Sequence, residues 1–137
     1  EALVVYSQDK DTEATNHCYK YFSSRRALKR EVSPSITRYL ILQKPDVMVE
    51  PIVDMWCENP IAWNEMLNLI GLGAQRTLIG RLKVETDIRL IGTMIKFLQE
   101  HGTTGALPAI EPFLEHADSI IRHSAKTAYS AIQERTR

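Results

Sequence analysis

Cysteine, histidine, arginine and carboxylate side chains could all do chemistry in this 137-residue chain, and their spacing limits what that chemistry is. His17-Cys18 is adjacent in sequence, with Cys57 far away. Zinc sites are built from paired CxxC or HxxxH spacings, and neither occurs here. Cys18 also falls on an apolar stripe, where a free thiol behaves as a small hydrophobe. His116 and His123 flank a turn near the chain end. His116 is placed to interact with a helix C-terminus rather than to abstract a proton. No GxSxG, P-loop, GxGxxG or zinc-protease motif is present. The "GLG" at 71–73 is too short for a dinucleotide loop, and Gly102 and Gly105 flank a linker. We therefore expect no catalytic residue, no metal and no cofactor. Arg89 and Arg122 have the chemistry to read a phosphate or carboxylate.

The charged residues are segregated. Positions 46–75 hold Asp46, Glu50, Asp54, Glu58 and Glu65 with no Lys or Arg. Positions 20–38 hold Lys20, Arg25, Arg26, Lys29, Arg30 and Arg38 against Glu31 alone. Such blocks can steer a partner, which makes Arg25, Arg26, Lys29, Arg30, Asp54, Glu58 and Glu65 the candidate partner-binding residues. The plainer alternative is solvated helix faces that neutralise one another when helices stack. Trp56 and Trp63 lie in the acidic block, where a tryptophan either anchors a peptide in a groove or packs in the core.

The totals bound the setting. Lys+Arg and Asp+Glu are both 17, so the net charge is zero, without the basic excess of a dedicated nucleic-acid binder. Hydrophobic residues are 44% and charged residues 25%, ordinary for a globular chain with a real core. Two cysteines make no disulfide framework, and a reducing, cytoplasmic setting is the default. No apolar run approaches the roughly 18 residues of a membrane span, so this segment is not expected to insert. A chain that begins at Glu1 without Met is expected to be a piece excised from a longer protein.

Helices must position these groups. Leu107, Ile110, Leu114 and Ala117 follow spacings of three and four, one face of a helix, with Pro108 in its first turn. Ile121, Ala125, Ala128 and Ile132 form a second face, capped by Asp118 or Ser119. The short turn between makes them antiparallel neighbours over 106–135. Residues 74–101 read similarly, with Ala74, Leu78 and Leu82, then Ile88, Ile91, Ile95 and Leu98 after Asp87. Over 46–71 the faces are Val49, Ile52, Val53 and Trp56, then Trp63, Leu67 and Ile70 after Asn59-Pro60. Over 12–43 they are Ala14, Cys18, Tyr21 and Phe22, then Ile36, Tyr39, Leu40 and Gln43. The second helices begin near Ser35, Pro60, Asp87 and Ser119, a loose period of about 25 to 32 residues. "ALVVY" at 2–6 fits a short strand or the tail of a helix. Gly80 and Gly92 interrupt helices and mark close packing or a kink.

"ADSIIRHSA" at 117–125 resembles the second-helix signature of HEAT repeats: an Asp at the turn, an aliphatic–Arg pair, then a small residue. Asp118, Ile121, Arg122 and Ala125 carry it, and Pro108 matches the family's first-helix proline. "TDIRLIG" at 86–92 looks like a second copy, with Asp87, Ile88, Arg89 and Gly92. Residues 46–71 depart from the pattern, with Pro60-Ile61-Ala62 in place of the aliphatic–Arg pair. The spacing is closer to compact bacterial HEAT-like repeats, bilin lyases among them. The resemblance implies that Asp87, Arg89, Asp118 and Arg122 are structural groups pairing neighbouring repeats.

The expected fold is thus all-α: one domain over 1–137, a short right-handed α-α superhelix of about four antiparallel pairs. One pair cannot bury both its apolar faces, and stacking does so. The expected function is a non-catalytic scaffold that binds another protein or another domain of its own chain. A HEAT-like lyase or DNA-glycosylase-type enzyme is the alternative, as is a soluble regulatory segment of a membrane or multidomain protein.

Overall fold

In the computed structural model, residues 12–28 and 30–136 are described. Every regular element among them is helical, as expected. The stretch 2–6 and Lys29 lie outside the described residues. Two compact units are present, one ending at Val49 and one running from Glu50 onward.

In the first unit, helix α1 (Thr12–Ala27) buries Thr15, Cys18 and Phe22, three residues on one face. It packs on α2 (Pro34–Gln43). The Thr15 and Tyr39 hydroxyls share a buried hydrogen bond of 2.7 Å, which satisfies both polar atoms inside an apolar contact. Ser33 caps α2 by accepting from the Ile36 N–H, and Pro34 occupies the first turn where it lacks nothing. Of the expected α1 face, Tyr21 is exposed, because the stripe runs through Thr15 instead.

Pro45 excludes helical geometry at Lys44 and opens α3 (Pro45–Glu58). The interior Pro51 of α3 removes one backbone donor, and Met48, Val49, Ile52, Val53, Met55 and Trp56 are buried around it. Asn59 ends α3 and caps α4 (Pro60–Ile70), accepting from the Ala62 N–H at 3.2 Å. Helix α4 buries only Met66 and Leu67, and Trp63 and Ile70 are half-buried. It stops at Gly71, whose φ of 61° with ψ of −128° is a conformation only glycine adopts readily.

A 3₁₀ turn over Gly71–Ala74 leads to α5 (Gln75–Leu82), which buries Leu78 and Leu82. Asp87 caps α6 (Ile88–His101), accepting from the Arg89 N–H at 2.9 Å. Helix α6 turns Ile91, Met94, Ile95, Phe97 and Leu98 to the core. Ile88, expected on that stripe, is 42% exposed, because the first residue of α6 faces out. The starts of α5 and of the loop after α6 are tied together. Gln75 Oε1 accepts from the Thr103 N–H at 2.8 Å, and Gln75 Nε2 donates to Thr103 Oγ1 at 3.0 Å.

The first helix expected in 106–135 is broken. Only Leu107–Ile110 is α-helical (α7), between 3₁₀ turns at Thr104–Ala106 and Glu111–Glu115. Pro112 is the cause: it has no N–H, and its ring crowds the carbonyl one turn back. The register shifts accordingly. Ala106, Ala109 and Ile110 are buried, whereas Leu107 and Leu114 are half-buried and Ala117 is exposed. The last helix, α8 (Ser119–Arg135), keeps the expected register and buries Ile121, Ala125, Ala128 and Ile132. It packs along α6, with Ala125 and Ala128 leaving room for the two backbones to approach. Asp118 caps it, accepting from both the Ile120 and Ile121 N–H groups.

Candidate binding groove

Two carboxylates of the acidic stretch are paired within the unit that begins at Glu50. Glu50 and Asp54 sit one turn apart on α3, and Arg81 of α5 reaches both, at 2.9 and 2.7 Å. Thr77 adds a hydrogen bond to Glu50. Burial alone would lower the Arg81 pKa, but the hydrogen bonds it donates to Glu50 and Asp54 outweigh it and hold the guanidinium above its ordinary value. Asp54 is therefore committed inside the fold. Glu58 and Glu65 are exposed elsewhere on this unit. Nearby Cys57 is half-buried, and burial pushes its thiol up, with Arg81 opposing and Glu85 and Asp54 reinforcing. A thiol held neutral is a poor nucleophile.

The basic residues of the first unit are also partly occupied. Arg25 donates to the Glu31 carbonyl at 2.6 Å and lies over the Tyr21 ring at 5.7 Å. Arg30 is exposed, and its N–H closes the end of α1 on the Arg25 carbonyl. Arg26 is half-buried. The candidates Arg25, Arg26 and Arg30 thus share one helix end.

Three of the four residues expected to pair neighbouring repeats make local contacts. Asp87 and Asp118 cap their own helices, and Arg122 donates to the His116 and Ala117 carbonyls of the turn just before α8. The Asp118 N–H donates in turn to His116 Nδ1 at 3.0 Å. His116 is thereby a turn-organising residue. Arg89 is exposed.

An open groove of about 970 Å³ lies in this unit. Its walls come from three helices, the start of α4, the outer face of α6 and the first turns of α8. Trp56 and Phe97 underlie it, in an edge-on ring contact at 6.1 Å between centroids. Trp56 is fully buried and donates to Asn64 Oδ1 at 3.3 Å. The tryptophan is therefore floor rather than anchor. Around it stand Ile61, 94% exposed, Ile120, 72% exposed, and Ile88. Burying three such side chains would each yield roughly 1.5–3 kcal/mol. Arg89, Lys96, Glu100 and His123 supply polar groups along it.

Sequence reasoning had placed Ile88 in the core and had not singled out Ile61 or Ile120. Ile61 carries a signal, since it lies opposite the buried Met66 and Leu67 of α4, whereas Ile88 keeps the spacing of the α6 core stripe and only its place as the first residue of the helix leaves it exposed.

Among the described residues, no group of three His, Cys, Asp or Glu is placed to hold a metal ion. Nor is any described helix long and apolar enough to cross a membrane. No family model, no curated protein and no solved structure matches the chain.

Proposed function

We propose that this chain is a non-catalytic protein-binding module, HEAT-like in the unit that begins at Glu50, and that it binds through the groove walled by α4, α6 and α8. One observation carries the reading: three successive second helices present exposed isoleucines, Ile61, Ile88 and Ile120, around one depression. Solenoid repeats build extended binding surfaces by lining up equivalent helices in this way. Apolar groups clustered with a polar surround are the usual composition of an interface centre. The groove is preferred to the charged blocks because Asp54 is already paired with Arg81 and Arg25 with the Glu31 carbonyl. The partner is another protein or another domain of the same chain.

The test is site-specific photocrosslinking in the native cell extract. A photoreactive residue replaces Ile61 or Ile120 in separate samples and Val84, 78% exposed and outside the groove lining, in a control. The reading expects the same discrete protein adduct from the two groove positions and not from Val84. Adducts that are absent, or equally frequent from all three positions, reject it.

A further inference from the structure

We infer that the groove takes an amphipathic helix whose charges run in a fixed order, with carboxylates facing Arg89 and Lys96 and a cation facing Glu100. This rests on the groove being the binding surface and adds the chemistry of its occupant.

The argument starts from α6. Arg89, Thr93, Lys96 and Glu100 recur at spacings of four, three and four, so they form one stripe opposite the buried Ile91, Ile95 and Leu98. All four line the groove. At 1.5 Å per residue, Arg89 and Lys96 stand roughly 10 Å apart along the axis, and Glu100 a further 6 Å on. All three charged residues are exposed. No other described residue forms an ion pair with them, whereas Arg81 is paired twice. Asp118, the other carboxylate on the groove, is engaged at the start of α8. There it accepts two backbone N–H bonds and faces the positive end of the helix dipole. The unengaged charges therefore read plus, plus, minus along α6.

The apolar groups fix the shape of the occupant. Ile61, Ile88 and Ile120 come from three different helices, so they are spread across the groove rather than strung along it. An extended strand offers one narrow row of side chains per face. An amphipathic helix offers an apolar face of about 100° or more, wide enough to meet all three. A helix beside α6 has the same rise per residue, so its charges match when spaced seven and four apart. Phosphate-rich strands fit poorly, because Glu100 and the isoleucine rim oppose them.

The experiment is fluorescence anisotropy with the full chain and labelled helical peptides of 18 residues. One matched peptide carries Glu at positions 1 and 8 and Lys at 12, for a helix parallel to α6. The other carries Lys at 1 and Glu at 5 and 12, for the antiparallel direction. Each has the same leucine-rich face and a permuted control of identical composition, with its Lys exchanged onto the central charged position. Two exposed pairs are thereby turned from attraction to repulsion. One matched peptide should bind about five- to tenfold tighter than its control, and the gap should shrink with added salt. The charge-swapped protein Lys96→Glu/Glu100→Lys, altered only at exposed positions, should lose or reverse that preference. Equal binding of matched and permuted peptides that is abolished by Ile61→Ser/Ile120→Ser overturns the charge order and leaves the groove reading standing. No peptide binding, or tighter binding of a labelled single-stranded oligonucleotide, overturns the inference itself. The crosslinking from Ile61 and Ile120 then judges the groove separately.

Discussion

Arg135 provides a sharp test of how the last two long helices are joined. It sits in the final turn of α8, yet its guanidinium covers the C-terminus of α6. Nη1 donates to the Gln99 carbonyl at 2.6 Å and Nη2 to the Gly102 carbonyl at 2.6 Å, with longer contacts to Glu100 and Leu98 at 3.4 and 3.5 Å. A helix end leaves its last carbonyls without helical partners, and Gln99, Glu100 and Gly102 supply three of them, whereas the Leu98 carbonyl also accepts the Gly102 N–H. Two short hydrogen bonds from a charged donor would contribute about 1.5–3 kcal/mol each if buried. Arg135 is exposed, so solvent screening and side-chain entropy reduce each to about 0.5 kcal/mol. The favourable dipole contact adds about 0.3–1 kcal/mol. Arg135→Ala should therefore cost roughly 1–2 kcal/mol. With a urea slope of about 2 kcal/mol/M for a small domain, the unfolding midpoint should fall by about 0.5–1 M. Arg135→Lys keeps the charge but loses the two-pronged fork, and should recover less than half of that. An unchanged midpoint in Arg135→Ala, or full recovery by lysine, would falsify the two-pronged cap.

Ile121→Ala should cost about 2–5 kcal/mol by urea unfolding, because the side chain is 1% exposed, whereas half-buried Leu114→Ala should cost less than about 2. Equal losses would return Leu114 to the core. Gly80→Ala should raise stability by about 0.5–1 kcal/mol, since a Cβ there meets nothing within 4 Å; a lower melting temperature would refute this. Gly71→Ala should lower stability by about 1–3 kcal/mol because of its positive φ, and a neutral result would show that the turn relaxes. Burial raises the Cys57 pKa, so ionising it disfavours the fold. Its contribution is fully present below the unfolded thiol value of about 8.5 and declines as pH rises above it. Thiol labelling of Cys57 near pH 8 should accordingly be slower than that of an unfolded control peptide.

What the sequence made legible was local. Second helices expected near Ser35, Pro60, Asp87 and Ser119 begin at Pro34, Pro60, Ile88 and Ser119. The caps Ser33, Asn59, Asp87 and Asp118 each bond an N–H two or three residues away, so nothing distant decides them. The α8 stripe was readable for the same reason: its period belongs to the helix alone. Two prolines act against the helical periods around them. Pro112 ends the helix that begins at Leu107, and the expected positions of Leu114 and Ala117 fall beyond that break. Pro51 lies within α3, where tertiary packing of the flanking apolar residues overrides its local penalty. The remaining differences are long-range. Arg81 meets Glu50 across 31 positions, Thr103 meets Gln75 across 28, and Arg135 meets Gly102 across 33. No period in the sequence joins such partners.

This difference in reach bears on where a partner binds. Clustered charge in a sequence suggests a docking patch because nothing nearby in the chain neutralises it. Folding brings Arg81 onto Glu50 and Asp54, so the most acidic stretch loses part of that role before any partner arrives. Exposed ion pairs of this kind contribute little stability, but they do set which charges remain available. Arg89, Lys96 and Glu100 remain so because the stripe that carries them is the back of a helix whose other face is wholly given to the core. The same periodicity that drives Ile91, Ile95 and Leu98 inward lines up those three charges outward, beside isoleucines that the fold leaves uncovered. A candidate surface is therefore better sought among residues opposite a strong core stripe, after internal pairs have been removed, than among the densest charges along the chain.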